Sequence, residues 1–103
     1  MKKIIINADD FGLNTSVNHA IIESFEKGLI NSTTIMANMP GFDEAIDLAH
    51  KHNIINKTGI HLTLTEGEPL TTNILISGLY NRENSNIKKY KKKYSSYLKR
   101  KKK

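Results

Sequence analysis

Strand-like and helix-like segments alternate along the first two thirds of the chain. Short β-branched or apolar runs predict strands at about residues 3–8, 32–37 and 57–64. Between them, apolar residues recur at helical spacing over about residues 16–27 and 42–52. Strands that alternate with helices at this spacing are typical of βαβ units and a parallel sheet. The sequence therefore predicts an α/β fold whose ligand site lies at the carboxyl ends of the strands.

The charge distribution divides the chain into two chemically different pieces. Residues 1–76 hold five lysines and nine acidic residues, whereas residues 77–103 hold eleven lysines or arginines and the single acid Glu83. The formal net charge of +6 therefore comes entirely from the second piece. We interpret residues 1–76 as the α/β unit and residues 77–103 as a basic, low-complexity, disordered tail.

Composition excludes several classes of site and of location. The chain contains no cysteine, so disulfides, thiolate zinc sites and a cysteine nucleophile are excluded. The apolar run at residues 4–6 is only three isoleucines long, far shorter than a secretory signal or a membrane span. We therefore expect a cytoplasmic protein without a membrane partner.

Two aspartates and one histidine are the candidate functional residues. Asp9 and Asp10 follow the first predicted strand, and His61 lies in the third. The aspartates could instead form a turn or a helix cap, and a lone histidine in an apolar strand is often a hydrogen-bonded core residue. If an aspartate and the histidine converge, however, one oxygen and one imidazole nitrogen suit Zn²⁺, Mn²⁺, Co²⁺, Fe²⁺ or, less typically, Mg²⁺. The other aspartate would then serve as a base.

Two longer motifs make the chain similar to a known family. Residues 7–12 read NADDFG, and residues 59–67 read GIHLTLTEG. Smaller matches lie between and after them, at Asn18, Gly28, residues 32–34, residues 38–40 and residues 69–70. Over about residues 2–70 the chain resembles the YdjC-like carbohydrate deacetylases, which include the ChbG-like chitooligosaccharide deacetylases.

The resemblance implies both a fold and an activity. The fold would be part of a (β/α) barrel of the NodB/YdjC-like kind. The activity would be metal-dependent removal of N-acetyl groups from amino sugars or oligosaccharides. Carried over by position, Asp9 resembles the general base, and Asp10 and His61 resemble two ligands of a divalent ion of the Mg²⁺ or Zn²⁺ class. A homodimer is also compatible with the family.

The chain departs from the family at the third metal ligand. In the family this histidine lies well over fifty residues beyond the second ligand, whereas here the chain ends 42 residues after His61. His19, His50 and His52 do not match that position and fall on predicted helices. We therefore expect a truncated chain that is poorly active as given.

The basic tail and the pair of aspartates each suggest a function other than deacetylation. Tyrosines interleaved with the basic residues of the tail could bind nucleic acid, but a solvated low-complexity extension is the favoured interpretation. A phosphate-accepting receiver domain would need an aspartate at the end of the third strand, where the chain has His61 and Thr63. A non-catalytic fragment, with or without a nucleic-acid-binding tail, stays open as the alternative to an enzyme.

Overall fold

The computed structural model describes residues 1–71, 80–81 and 86–87. In chain order the elements are β1 (Asn7–Phe11), α1 (Thr15–Glu26), β2 (Ser32–Ile35), α2 (Phe42–Lys51), a 3₁₀ helix (Ile55–Lys57), β3 (Thr58–Ile60), β4 (Tyr80–Asn81) and β5 (Asn86–Ile87). Most of the predicted tail lies outside the described residues, as do the residues on both sides of the predicted boundary at 76 and 77.

The first three strands form one parallel sheet in the order β1-β2-β3. This confirms the α/β class and the alternation of parallel strands with helices. Strands β4 and β5 form a separate antiparallel pair. A closed barrel would need more strands than the described sheet contains, so the barrel stays a prediction.

Both helices pack on the same face of the sheet. One apolar core receives residues from β1, β2, α1 and α2, and α1 also contacts α2. Its buried members are Phe11, Ile21, Ile22, Ile35, Ala45, Ala49 and Ile54. Two successive right-handed crossovers place helices in this way. The opposite face of the sheet carries polar side chains of β1 and β2, among them Asn7, Asp9 and Thr34.

Local signals account for both ends of α1. The Asn14 side chain caps the first turn by accepting a hydrogen bond of 2.9 Å from the Val17 N–H. At the other end Gly28 adopts a φ of 69°, which a glycine reaches without steric cost. The Leu29 N–H then donates to the Ser24 carbonyl at 2.9 Å, as in a Schellman motif. Asn14 and Gly28 therefore define the two ends of α1.

The first strand begins later than the isoleucine run predicts. Ile4, Ile5 and Ile6 precede β1 and are 74%, 78% and 52% exposed. Their backbone is held by Asn31, whose amide donates to the Ile4 carbonyl and accepts from the Ile6 N–H, both at 2.8 Å. The side chain of Asn31 therefore supplies bonds that a neighbouring strand would otherwise provide.

The third strand ends earlier than its alternating pattern predicts. β3 stops at Ile60, although the His61 N–H still donates to the Ile35 carbonyl at 2.9 Å. Ile60, Leu62 and Leu64 are 76%, 74% and 54% exposed. β3 lies at the edge of the described sheet, so alternation alone does not bury its side chains.

Within residues 1–71, 80–81 and 86–87, no helix combines the length and the apolar character needed to cross a bilayer.

Candidate active site

A β-bulge near the end of β1 interrupts its pairing with β2. Two residues of β1, Asp9 and Asp10, lie opposite the single residue Thr34. The residue pairs that define this shift are Asn7 with Ser32, Ala8 with Thr33, and Phe11 with Ile35. Asp10 adopts a φ of 69°, in the left-handed region that aspartate tolerates better than most residues.

The bulge directs both aspartates away from the core. Ala8 and Phe11 both pack into the apolar core although they are three residues apart, which strict two-residue alternation does not allow. The extra residue restores Phe11 to the core face. Asp9 is therefore exposed, and the Asp10 side chain is 49% exposed at the carboxyl end of the strand.

Asp10 and His61 converge at this end of the sheet. The Asp10 Oδ1 atom lies 3.4 Å from the Nδ1 atom of His61. The backbone N–H of Asp10 also donates a hydrogen bond to the same Nδ1 atom at 3.3 Å. The parallel topology predicts such a meeting, because the carboxyl ends of β1, β2 and β3 share one edge. The structure thus brings together the two residues that the sequence proposes as metal ligands.

The donor set of this pair fits a divalent cation. Two atoms that ligate one ion at about 2.0–2.2 Å can lie no more than about 4.4 Å apart, a limit that the observed separation satisfies. Nδ1 accepts the Asp10 N–H through the same lone pair that ligation would use, so an ion bound to Nδ1 would replace this hydrogen bond. Within residues 1–71, no group of three His, Asp or Glu side chains is placed to hold an ion together.

Asp9 belongs to a polar network on the helix-free face of the sheet. Its Oδ1 atom accepts hydrogen bonds from the Asn7 amide at 2.8 Å and from the Thr34 hydroxyl at 3.3 Å. Asn7 in turn accepts a bond of 2.7 Å from the Ser32 hydroxyl. The Asn7 amide and the Thr34 hydroxyl thus both donate to the Asp9 carboxylate. Its orientation is therefore fixed from β1 and β2 together.

In the sequence Asn18 is only a motif position, whereas in the structure its side chain is buried and hydrogen-bonds to two loops and to α2. Asn18 is 0% exposed and hydrogen-bonds to Gly12, Gly41 and Glu44. A signal for this burial exists in the sequence. Asn18 precedes the buried Ile21 and Ile22 by three and four residues, so the helical spacing puts an amide on the apolar stripe.

A second asparagine, Asn38, holds the segment that follows His61. The Asn38 amide donates to the Glu66 carbonyl at 3.0 Å and to the Glu68 carbonyl at 3.2 Å. Asn38 follows β2, so this contact links the loops after β2 and β3 at the end of the sheet where Asp10 and His61 meet. In the sequence Asn38 is only a motif position, and its partners become visible in the structure.

The remaining histidines lie on or just after the helices, away from the Asp10–His61 pair. His19 of α1 lies 3.5 Å from the Glu44 carboxylate, and His52 after α2 lies 3.1 Å from the Glu26 carboxylate. His50 is exposed. His19 and His50 thus lie on helices, as the sequence predicts, and His52 directly follows α2.

A cavity of about 670 Å³ lies at the opposite, amino-terminal end of the strands. Its lining includes Lys3, Asn31 and Lys57 but neither aspartate nor His61. Because ligands of parallel α/β sheets bind at the carboxyl ends of the strands, we keep the Asp10–His61 region as the candidate site.

Glu44 makes the stability of the helix pair depend on pH. The Asn18 amide, the Thr15 hydroxyl and His19 all hold the pKa of the Glu44 carboxyl below its ordinary value. A lowered folded-state pKa stabilises the fold above the ordinary glutamate value and loses that effect as the pH falls through the folded value. We expect Glu44→Gln to reduce the fall in unfolding midpoint between pH 6 and pH 3, measured by urea titration.

The exposed Asp47→Asn variant is the control for that titration. It should follow the wild-type pH profile. Identical profiles for wild type and Glu44→Gln would contradict the role given to Glu44.

Comparison with known proteins identifies the family of the chain. The model of the YdjC-like protein family matches residues 3–101, which is most of the sequence. This match extends past residue 76, where the sequence predicted a boundary, whereas the pairwise matches below span only 68–70 residues.

Similar curated proteins come from several bacteria. The carbohydrate deacetylase of Halalkalibacterium halodurans is 47% identical over 70 residues, which cover 68% of this chain and 29% of that protein. Carbohydrate deacetylase 2 of Listeria innocua is 48% identical over 69 residues, which cover 67% of this chain and 27% of that protein. The carbohydrate deacetylase of Listeria welshimeri is 52% identical over 68 residues, which cover 66% of this chain and 27% of that protein. The chain thus spans less than a third of the length of these relatives.

A solved structure shares the fold. The crystal structure of a cellobiose-phosphate cleavage protein from Enterococcus faecalis V583 superposes with a TM-score of 0.72 at 30% identity. The superposition covers 89% of this chain and 35% of that one. The family match, the relatives and the common fold agree, and the chain belongs to the YdjC-like protein family.

Proposed function

We propose that Asp9, Asp10 and His61 belong to the active site of a metal-dependent carbohydrate deacetylase. The observation that carries the proposal is the 3.4 Å approach of the Asp10 carboxylate to the His61 imidazole, with Asp9 beside it in the same bulge. The similar proteins named carbohydrate deacetylase support a sugar as the substrate class. N-acetylated amino sugars and oligosaccharides are the substrates that we propose.

We also propose that the described sheet is one arc of a (β/α) barrel. Both helices cover one face of three parallel strands, and the opposite face carries the polar network around Asp9. A barrel places its helices outside in this way and its site at the carboxyl ends of the strands. Ile60, the last residue of β3, and Leu62, just beyond it, are exposed apolar residues that further strands and helices at that edge would help to cover.

Asp10 and His61 would hold the cation through the Asp10 carboxylate and an imidazole nitrogen of His61. A divalent ion of the Mg²⁺ or Zn²⁺ class supplies Lewis-acid polarisation of the amide carbonyl and lowers the pKa of water when it is bound. The mixed oxygen and nitrogen donors favour the Zn²⁺ side of this range.

Asp9 would act as the general base. Deacetylation adds a water oxygen to the acetyl carbonyl carbon, breaks the C–N bond and releases acetate and a free amine. Asp9 takes a proton from the attacking water, and a proton must be delivered to the departing amine nitrogen. Asn7 and Thr34 hold the Asp9 carboxylate through Oδ1, so the base enters the reaction already oriented.

A chimaera tests the proposal in a complete protein. The matched 70-residue segment of the Halalkalibacterium halodurans relative is replaced by the corresponding segment of this chain. Acetate release from N-acetylated chitooligosaccharides is then measured with Zn²⁺, Co²⁺, Mn²⁺ or Mg²⁺ and after chelation. We expect metal-dependent turnover by the chimaera, because the segment brings the Asp9, Asp10 and His61 side chains into the relative.

The chain alone is assayed beside the chimaera. We expect background turnover from it, because its described residues bring only two candidate ligands together. A well-folded chimaera without activity would overturn the proposed function, and strong metal-dependent turnover by the chain alone would overturn the expectation that it is poorly active.

A further inference from the structure

Asn18 uses both ends of its buried amide. Its Oδ1 atom accepts a hydrogen bond of 2.7 Å from the Gly12 N–H. Its Nδ2 atom donates to the Gly41 carbonyl at 2.9 Å and to the Glu44 Oε2 atom at 3.0 Å. A fully buried amide normally persists only when its donors and its acceptor are satisfied, and here they are.

These bonds join the two loops that leave the carboxyl ends of β1 and β2. Gly12 belongs to the turn that starts at Asp10, since the Leu13 N–H donates to the Asp10 carbonyl at 3.0 Å. Gly41 lies in the loop after β2, directly before α2. One side chain of α1 thus connects the Asp10 turn to the neighbouring loop.

The junction leaves no room for larger residues. Gly12 has a φ of 93°, and a Cβ atom there would lie 3.1 Å from the Met36 carbonyl oxygen. A Cβ atom on Gly41 would lie 2.9 Å from the Gly12 carbonyl oxygen and 3.0 Å from the Asn18 amide nitrogen. The two loops therefore touch at glycines, and the Asn18 amide fills the remaining space between them.

We propose that Asn18 is the positioning residue of the candidate metal site. It fixes the Asp10–Gly12 turn, so that Asp10, in its left-handed conformation, presents both its N–H and its carboxylate to His61. A non-glycine residue in that region is strained and persists only when its surroundings hold it. The effect of Asn18 on metal binding rests on the proposed function. Its effect on the conformation of the Asp10–Gly12 turn does not.

The chemistry of asparagine is specific to this position. An aspartate could still accept the Gly12 N–H, but it would face the Gly41 carbonyl and the Glu44 carboxylate without a proton to donate. An alanine would leave the buried Gly12 N–H and Gly41 carbonyl unpaired. Asn18→Asp should therefore retain part of the positioning that Asn18→Ala loses.

The test uses the full chain, with Asn18→Ala, Asn18→Asp, Asn18→Leu and the control Ile22→Ala. Ile22 is buried in the same helix and belongs to the apolar core. Hydrogen exchange of the Asp10 amide is measured by NMR and corrected for global stability, and Zn²⁺ affinity is measured by calorimetry on the chimaera with the same substitutions. Relative to Ile22→Ala, we expect Asn18→Ala to raise Asp10 exchange about tenfold or more, because a buried bonding partner is lost. It should also weaken Zn²⁺ binding about 10–100-fold, as for other groups that orient a ligand.

The outcomes separate the two proposals. Equal Asp10 exchange in Asn18→Ala and Ile22→Ala would overturn the positioning role. Loss of exchange protection in Asn18→Ala alone, with no Zn²⁺ binding by the wild-type chimaera, would support the positioning role and count against the proposed function. If Asn18→Ala does not fold, Asn18→Leu decides, because leucine fills a similar volume without an acceptor for the Gly12 N–H, and Asp10 exchange as slow as in the wild type would then overturn the inference.

Discussion

Replacement of Asp10 by asparagine or of His61 by alanine is expected to abolish metal-dependent deacetylation by the chimaera. Each change removes one of the two side chains that meet at 3.4 Å. Residues that merely orient a ligand are commonly worth 10–100-fold in metal affinity or activity, so loss of a ligand should cost about 100-fold or more. Zn²⁺ affinity by calorimetry and kcat/KM for acetate release measure the effect.

Asp9→Asn separates the base from the ligands in the same protein. An asparagine cannot take a proton from water, so kcat should fall by about 10²–10⁴-fold while Zn²⁺ affinity stays within about tenfold of the wild type. The exposed Asp47→Asn on α2 should change neither quantity. Tight Zn²⁺ binding in Asp10→Asn or His61→Ala, or equal loss of affinity in Asp9→Asn, would contradict the assignment of roles.

The placement of Asp10 and His61 at one edge of the sheet could be predicted because it depends on topology, whereas the bulge and the Asn18 contacts set how their side chains meet. Parallel strands of one sheet have their carboxyl ends on a common edge, so residues 51 positions apart in sequence become neighbours. The alternation of strand and helix patterns is sufficient to predict that arrangement. Precise side-chain packing is not needed for it.

Strand boundaries could not be predicted in the same way. Alternation at Ile60, Leu62 and Leu64 indicates an extended segment, but burial depends on whether another element covers it. The same is true of the isoleucines before β1. Local patterns report what a segment prefers, whereas the edge of a sheet is set by what the rest of the chain places beside it.

The bulge and the Asn18 contacts arise from tertiary structure. Nothing in the sequence NADDFG requires that Asp9 and Asp10 share one partner across the sheet, because either aspartate could have been the ordinary paired residue. The conformation of Asp10 is selected when Ala8 and Phe11 both enter the core. The placement of an amide on the stripe of α1 is visible in sequence, but its bonds to Gly12 and Gly41 are made across 6 and 23 residues of chain.

Phe11→Ala is expected to cause the largest loss of stability. Phe11 is 0% exposed, belongs to the apolar core and directly follows Asp10. Truncation of a buried phenylalanine to alanine typically costs about 3–5 kcal/mol, against a total stability of about 5–15 kcal/mol for an ordinary domain. The cavity would also remove the anchor that returns β1 to the core after the bulge.

Urea unfolding monitored by circular dichroism measures the loss, with Leu29→Ala as the control because Leu29 is 60% exposed. That control should lie within about 0.5 kcal/mol of the wild type. A cost below about 1 kcal/mol for Phe11→Ala would show that Phe11 does not anchor the bulged strand.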